Sequence, residues 1–272
     1  MLAALRLSWY KCCHSLRDFL KVLVGIVIFE VLILFIEKKG FLSVFETTRM
    51  ALFLLIFSSS LLVLVQNSIY ISKERAILER DFFSILSRTG FALASLLFNA
   101  GYALVESMVF TLAYQGLSQW FDKDLPSKGQ VFHSFGLEVL LISFLIFLAS
   151  HYLALLISAL AGKSDITSVI LAVIVGIAQF SLSGTILQLP KSIEKVQDFI
   201  FLGYGHKVFG ATNKLREIPG MMAKYHVPIE KTALKHFQLS RGDMVQDFLI
   251  LFTHALAYGL LFWLVLRFKK EK

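Results

Sequence analysis

The 272-residue sequence predicts an all-α polytopic membrane protein with six transmembrane helices. Composition comes first: 57% of residues are hydrophobic, 17% are charged, and the mean hydropathy is +0.71. Soluble domains run nearer 45–50% apolar and about 25% charged. Second, six apolar runs each approach the ~20 residues that a helix needs to cross a hydrocarbon core at 1.5 Å per residue. Third, proline is rare (4 residues) and phenylalanine abundant (26), which excludes disordered, collagen-like and disulfide-stapled secreted chains. The solvent for most of this chain is lipid.

Taken in order, residues 1–19 form an amphipathic helix. Leu2, Leu5, Trp9, Cys13 and Leu16 recur at helical spacing, with Arg6, Lys11 and Arg17 elsewhere, as in a helix lying in the membrane interface. The spans are expected at 20–36, 50–71, 91–116, 137–161, 166–187 and 248–268. Between the second and third spans, residues 72–88 (SKERAILERDFFSILSR) are rich in good helix formers. Ala76, Ile77, Phe83 and Leu86 make an apolar side, and the rest is crowded with charge. This segment reads as a charged helix on the membrane face to which a partner docks. Residues 188–245 hold three of the four prolines. They read as an ordered cap over the sixth span, with short helices at Ile200–Val208 and Ile218–Tyr225 dipping toward the bilayer.

Six spans put both termini on one side. Thirteen basic residues then flank the spans on that side, against five in the two short loops opposite, so the termini are expected in the cytoplasm. The net charge of +8 sits in these flanks and suits anionic lipid headgroups, not nucleic acid. The adjacent Cys12 and Cys13 cannot staple distant parts of a fold. The seven histidines show no metal-ligand spacing. Gly162-Lys163-Ser164 looks like the end of a phosphate loop, but Ile157 stands where the first glycine would be. No catalytic set is expected, and ATP must be bound elsewhere if it is used.

Glu106 lies near the middle of the third span beside Ser107. It either faces a cavity or is a hydrogen-bonded carboxyl pinning helices together. His151 and His254 are expected as packing residues, and Glu30 and Glu138 as side chains that snorkel from span ends. Ile170, Val173, Ile177, Phe180 and Gly184 share one face of span five, and Phe53 and Phe57 share one face of span two. These faces either line an apolar cavity or pack conventionally.

Four stretches carry a family resemblance. Gln66–Asp81 is similar to an acidic-basic coupling segment; Leu155–Leu160 resembles the end of a fourth span; Gln179–Pro190, with Ser183-Gly184 and Leu189-Pro190, resembles a small-residue, glycine, then proline exit from a fifth; and Phe209–Asn213 resembles the stretch just after an outer-loop helix. Together they resemble ABC type-2 exporter permeases, in particular the transmembrane half of the G-subfamily (white, multidrug and sterol) transporters. The chain departs from that pattern at Phe91-Ala92 and Leu96, where Tyr and Lys are common, and at Ile85, where Gly is common.

The resemblance implies a permease that exports a hydrophobic or amphipathic substrate (lipid, peptide or drug). It implies a separate ABC ATP-binding subunit carrying ATP and Mg, a second permease copy or homologue, and a bacterial cytoplasmic (inner) membrane. Glu74, Arg75, Glu79, Arg80, Asp81 and Lys163 would then couple to the ATPase, with Glu74 holding the helix in register and Arg75 or Arg80 meeting the partner. Phe53, Phe57, Val173, Ile177, Phe180 and Gly184 would line the substrate path, and no residue would be catalytic. The competing readings are a non-transporting immunity or sensory subunit of an ABC complex and an ATP-independent secondary carrier.

Overall fold

The computed structural model describes residues 2–84, 86–162, 164–186, 189–190, 192–223, 228–229, 234 and 236–268. Among them are eight α-helices and no strand: α1 (Leu2–Ile36), α2 (Phe45–Asn67), α3 (Arg75–Ser84), α4 (Arg88–Trp120), α5 (Phe135–Leu160), α6 (Asp165–Leu182), α7 (Phe201–Thr212) and α8 (Arg241–Phe268). All except α3 and α7 are long and apolar enough to cross a membrane.

Helix starts follow side-chain capping chemistry. Ser87, Ser134 and Ser164 each accept a hydrogen bond from the backbone N–H three residues on, opening α4, α5 and α6. At the start of α8, the Ser240 N–H donates to Asp243 and the Asp243 N–H donates back to Ser240 Oγ, a reciprocal box. Gly162 follows α5 at φ +81°, a left-handed position that glycine fills without strain.

α5 is the central helix. It is buried over most of its length and packs against α2, α4, α6, α7 and α8, whereas α1, α6 and α8 are largely exposed at the periphery. The bundle has two distinguishable ends. At one, α3 packs with the start of α4 and the ends of α5 and α8 through Leu78, Leu86, Phe91, Leu155, Ala159, Phe262 and Leu266. Arg88 Nη1 also donates to the Leu266 carbonyl there. At the other, α7 rests on α2, α5 and α8. Gly205 comes so close to Ile146, near the midpoint of α5, that a Cβ would lie 2.7 Å from it.

Several expectations change. α1 runs unbroken, so the amphipathic helix of residues 1–19 continues straight into the first span; no proline occurs in 2–36 to interrupt it. The expected short helix at Ile218–Tyr225 does not form over its described part: residues 218–220 are irregular and 221–222 turn, while 224 and 225 lie outside the described residues. Phe209–Thr212 is the last turn of α7 itself, with Asn213 its cap. Glu30 and Glu138 do not snorkel; both are fully buried.

Candidate functional site

The coupling segment folds as a 3₁₀ turn, Ser72–Glu74, leading into α3. Its seat on α5 is built from polar groups. Ser158 Oγ accepts from the Ile71 N–H (2.9 Å) and the Ser72 N–H (3.1 Å), two amides at the corner where α2 has ended. Arg75 is 7% exposed, and its Nη1 donates to the Ala159 carbonyl at 3.1 Å. Its Nε reaches Glu79 at 3.2 Å, one turn on. Arg75 is therefore an anchor to α5. A guanidinium taken out of water needs acceptors fixed around it, and the Ala159 carbonyl at the end of α5 is one of them.

The outward side of α3 is Ala76, Ile77, Arg80 and Phe83, continuing from Lys73 in the turn, with Phe83 88% exposed. Arg80 lies outside beside Asp81 (3.6 Å). The apolar side expected from Ala76, Ile77, Phe83 and Leu86 is thus split: Leu86 turns inward with Leu78, and the other three face out. Glu74 is half-buried at the turn. Lys163 lies outside the described residues.

On α2 and α6, Phe53, Phe57 and Phe180 meet as a group. The Phe53 and Phe57 rings stack with centroids 6.1 Å apart, and Phe180 tilts against them at 5.5 and 4.9 Å. Val173 and Ile177 do not join them; with Ile166, Ile170 and Ile174 they form an exposed apolar face of α6. Gly184 ends α6 at φ +68°, against the side chain of Gln197.

Glu106 is paired: its Oε2 lies 2.7 Å from His151 Nε2, both residues almost wholly buried. Glu106 is thus a hydrogen-bonded carboxyl that joins α4 to α5, and His151 is a packing residue satisfied by it. The two stand 45 positions apart on different helices, so spacing carried no signal of their meeting. His254 does pack, its Nδ1 2.9 Å from the Ile250 carbonyl and its ring against Tyr204 and Tyr258.

The far end is closed by two further polar seats. Glu138 accepts from the Gln130, Val131 and Phe132 amides (3.2, 2.8 and 3.1 Å) and from Thr212 Oγ1 (2.6 Å), tying the α4–α5 loop to α7. His206 Nε2 donates to the Arg49 carbonyl at 3.0 Å. Burial, with the nearby His236, pushes the pKa of His206 down to about 3. Burial, with the Lys207 and Arg49 charges, takes His236 to about 4. Both rings are neutral at neutral pH.

The family of the ABC-2 type transporter matches residues 6–207, most of the chain, and the chain belongs to that family. It is an ABC permease subunit, an integral membrane protein of a family that associates with an ABC ATP-binding subunit. No curated protein of known function matches it.

Proposed function

We propose that the chain is the permease of an ATP-driven exporter that moves a hydrophobic or amphipathic molecule outward across a bacterial cytoplasmic membrane, with both termini in the cytoplasm. The observation that carries this reading is α3: a short helix outside the spans, locked to α5 by Ser158 and Arg75 and showing Ile77, Arg80 and Phe83 outward. A rigidly seated helix passes a push from a partner straight into the central span, because packed interfaces shift as bodies and do not deform continuously. The ATP-binding subunit, holding ATP and Mg, docks on that outward side. Arg80 and Asp81 provide charge-assisted contacts there, and Phe83 the buried anchor. Glu74 and Glu79 keep the helix in register on the bundle side.

A second permease copy or homologue packs on the exposed Ile170–Ile177 face of α6. Substrate passes along the half-buried Phe57 and Phe180, with the wholly buried Phe53 stacked on Phe57, and leaves past Gly184 under the α7 cap. Apolar and aromatic walls favour molecules that gain from leaving water. The test is capture of an ABC ATP-binding subunit on the tagged permease from membranes of its native host. Phe83→Asp with Arg80→Glu should abolish capture while leaving the permease inserted. Undiminished capture by the double variant would remove α3 from the docking surface.

A further inference from the structure

We infer that a cavity between the first half of α1 and α2, α4 and α5 binds an amphiphile headed by a primary ammonium group. The cavity encloses about 650 Å³, within the 300–1,000 Å³ usual for small-molecule sites. It is a different place from the aromatic group above: its wall on α2 is Val63, Gln66 and Asn67, further along than Phe53 and Phe57, and no α6 residue lines it. Its rim includes Lys73 and Glu74, in the turn that leads into α3.

Glu106 and His151 both line it, at 1% and 4% exposure. His151 spends Nε2 on Glu106, and its buried Nδ1 has no hydrogen-bond partner among the described residues. An unmet buried ring nitrogen destabilises the fold, so a ligand that supplies the missing bond recovers that loss. In the tautomer in which Nε2 carries the proton and donates to Glu106, Nδ1 presents a lone pair, and the fitting group is a donor. The carboxylate 2.7 Å behind the ring favours a donor that is also a cation.

Charge around the cavity agrees. Among the described lining residues are the carboxylates Asp18 and Glu106 and the ammonium of Lys73. Asp18 shares its charge with Lys21 at 2.7 Å, so Glu106 is the deep counter-charge. The remaining wall suits an alkyl chain: Phe19 and Tyr102 pack at 4.7 Å, and the Tyr102 ring lies near-parallel to His151 at 6.4 Å, a face that also attracts a cation.

The site needs neither ATP nor transport, so its failure would leave the exporter reading standing. The full chain is reconstituted in phosphatidylglycerol nanodiscs and titrated with radiolabelled dodecylamine against empty discs. Saturable binding is expected. It should weaken by about tenfold in Glu106→Gln, which keeps a hydrogen-bonding partner for His151 but removes the charge. Gln66→Trp, which fills the cavity from an exposed position and removes no internal bond, should weaken it similarly.

Dodecyltrimethylammonium, a cation without an N–H, and dodecanol, a neutral donor, should each compete about tenfold less well than dodecylamine. Discs containing phosphatidylethanolamine separate two sources of the same chemistry. Protection of the site there makes a bilayer headgroup the resident ammonium, and unchanged binding makes it a free amine; either supports the assignment. No saturable binding, binding indifferent to both substitutions, or equal competition by the trimethylammonium compound would overturn it.

Discussion

Replacing Ser158 by alanine removes one oxygen and strands two amides. The Ile71 and Ser72 N–H groups both donate to that oxygen, and all three residues are buried, at 2%, 5% and 0% exposure. Each buried donor left unmet costs about 1–3 kcal/mol. Water reaching one of them offsets part of this, so the corner between α2 and α3 should loosen by about 2–4 kcal/mol. That corresponds to a rise of roughly 30- to 900-fold in local opening. Hydrogen exchange of the 69–75 segment reads it directly, with Phe201–Thr212 as an internal reference that should not move. Arg75 still holds α3 on the Ala159 carbonyl, so the helix should stay attached while its entry frays. In a reconstituted complex, transport per ATP should fall without loss of insertion. Unchanged exchange at Ile71 and Ser72 would refute the idea that Ser158 seats the coupling helix.

Gly184→Ala places a side chain at φ +68°, so the cap end should lose about 1–2 kcal/mol through the left-handed backbone; a melting temperature equal to the parent's would count against strain there. Glu30 has both carboxyl oxygens buried without a partner among the described residues, so Glu30→Leu should stabilise the bundle by about 1–3 kcal/mol. A fall in melting temperature would mean that the carboxyl holds something. The histidines of the cap make its stability pH-dependent. The unfolded state takes up protons below pH ~6.5, while His206 and His236 stay neutral in the fold down to about 3 and 4. Stability contributed near neutrality is therefore lost as pH falls from ~6.5, by about 2 kcal/mol per ring at pH ~5. Exchange in α7, corrected for intrinsic rates, should quicken over that range; a flat profile would show that the rings are not buried in solution.

Much of the architecture was legible in the sequence. The six spans, the charged helix after the second and the capped loop before the last are sums over local composition, and hydropathy adds along the chain whatever the neighbours do. The Phe53, Phe57 and Phe180 group could be nominated from spacing on two helices, since both rows exist before the helices meet.

Rotational phase is the part that stayed open. A helix that is apolar all round has no moment to say which side faces protein and which faces lipid, so Val173 and Ile177 could be placed on one face with Phe180 and still stand exposed. Arg75 turns inward onto the Ala159 carbonyl at the end of α5, a fact of packing that a run of charges cannot record. Glu138 is consumed by the backbone of residues 130–132 folding back over it, and Glu106 finds His151 across two helices. In lipid a buried charge must find its partner within the protein. Composition alone determined that such residues exist, and only the tertiary structure decided whom they meet.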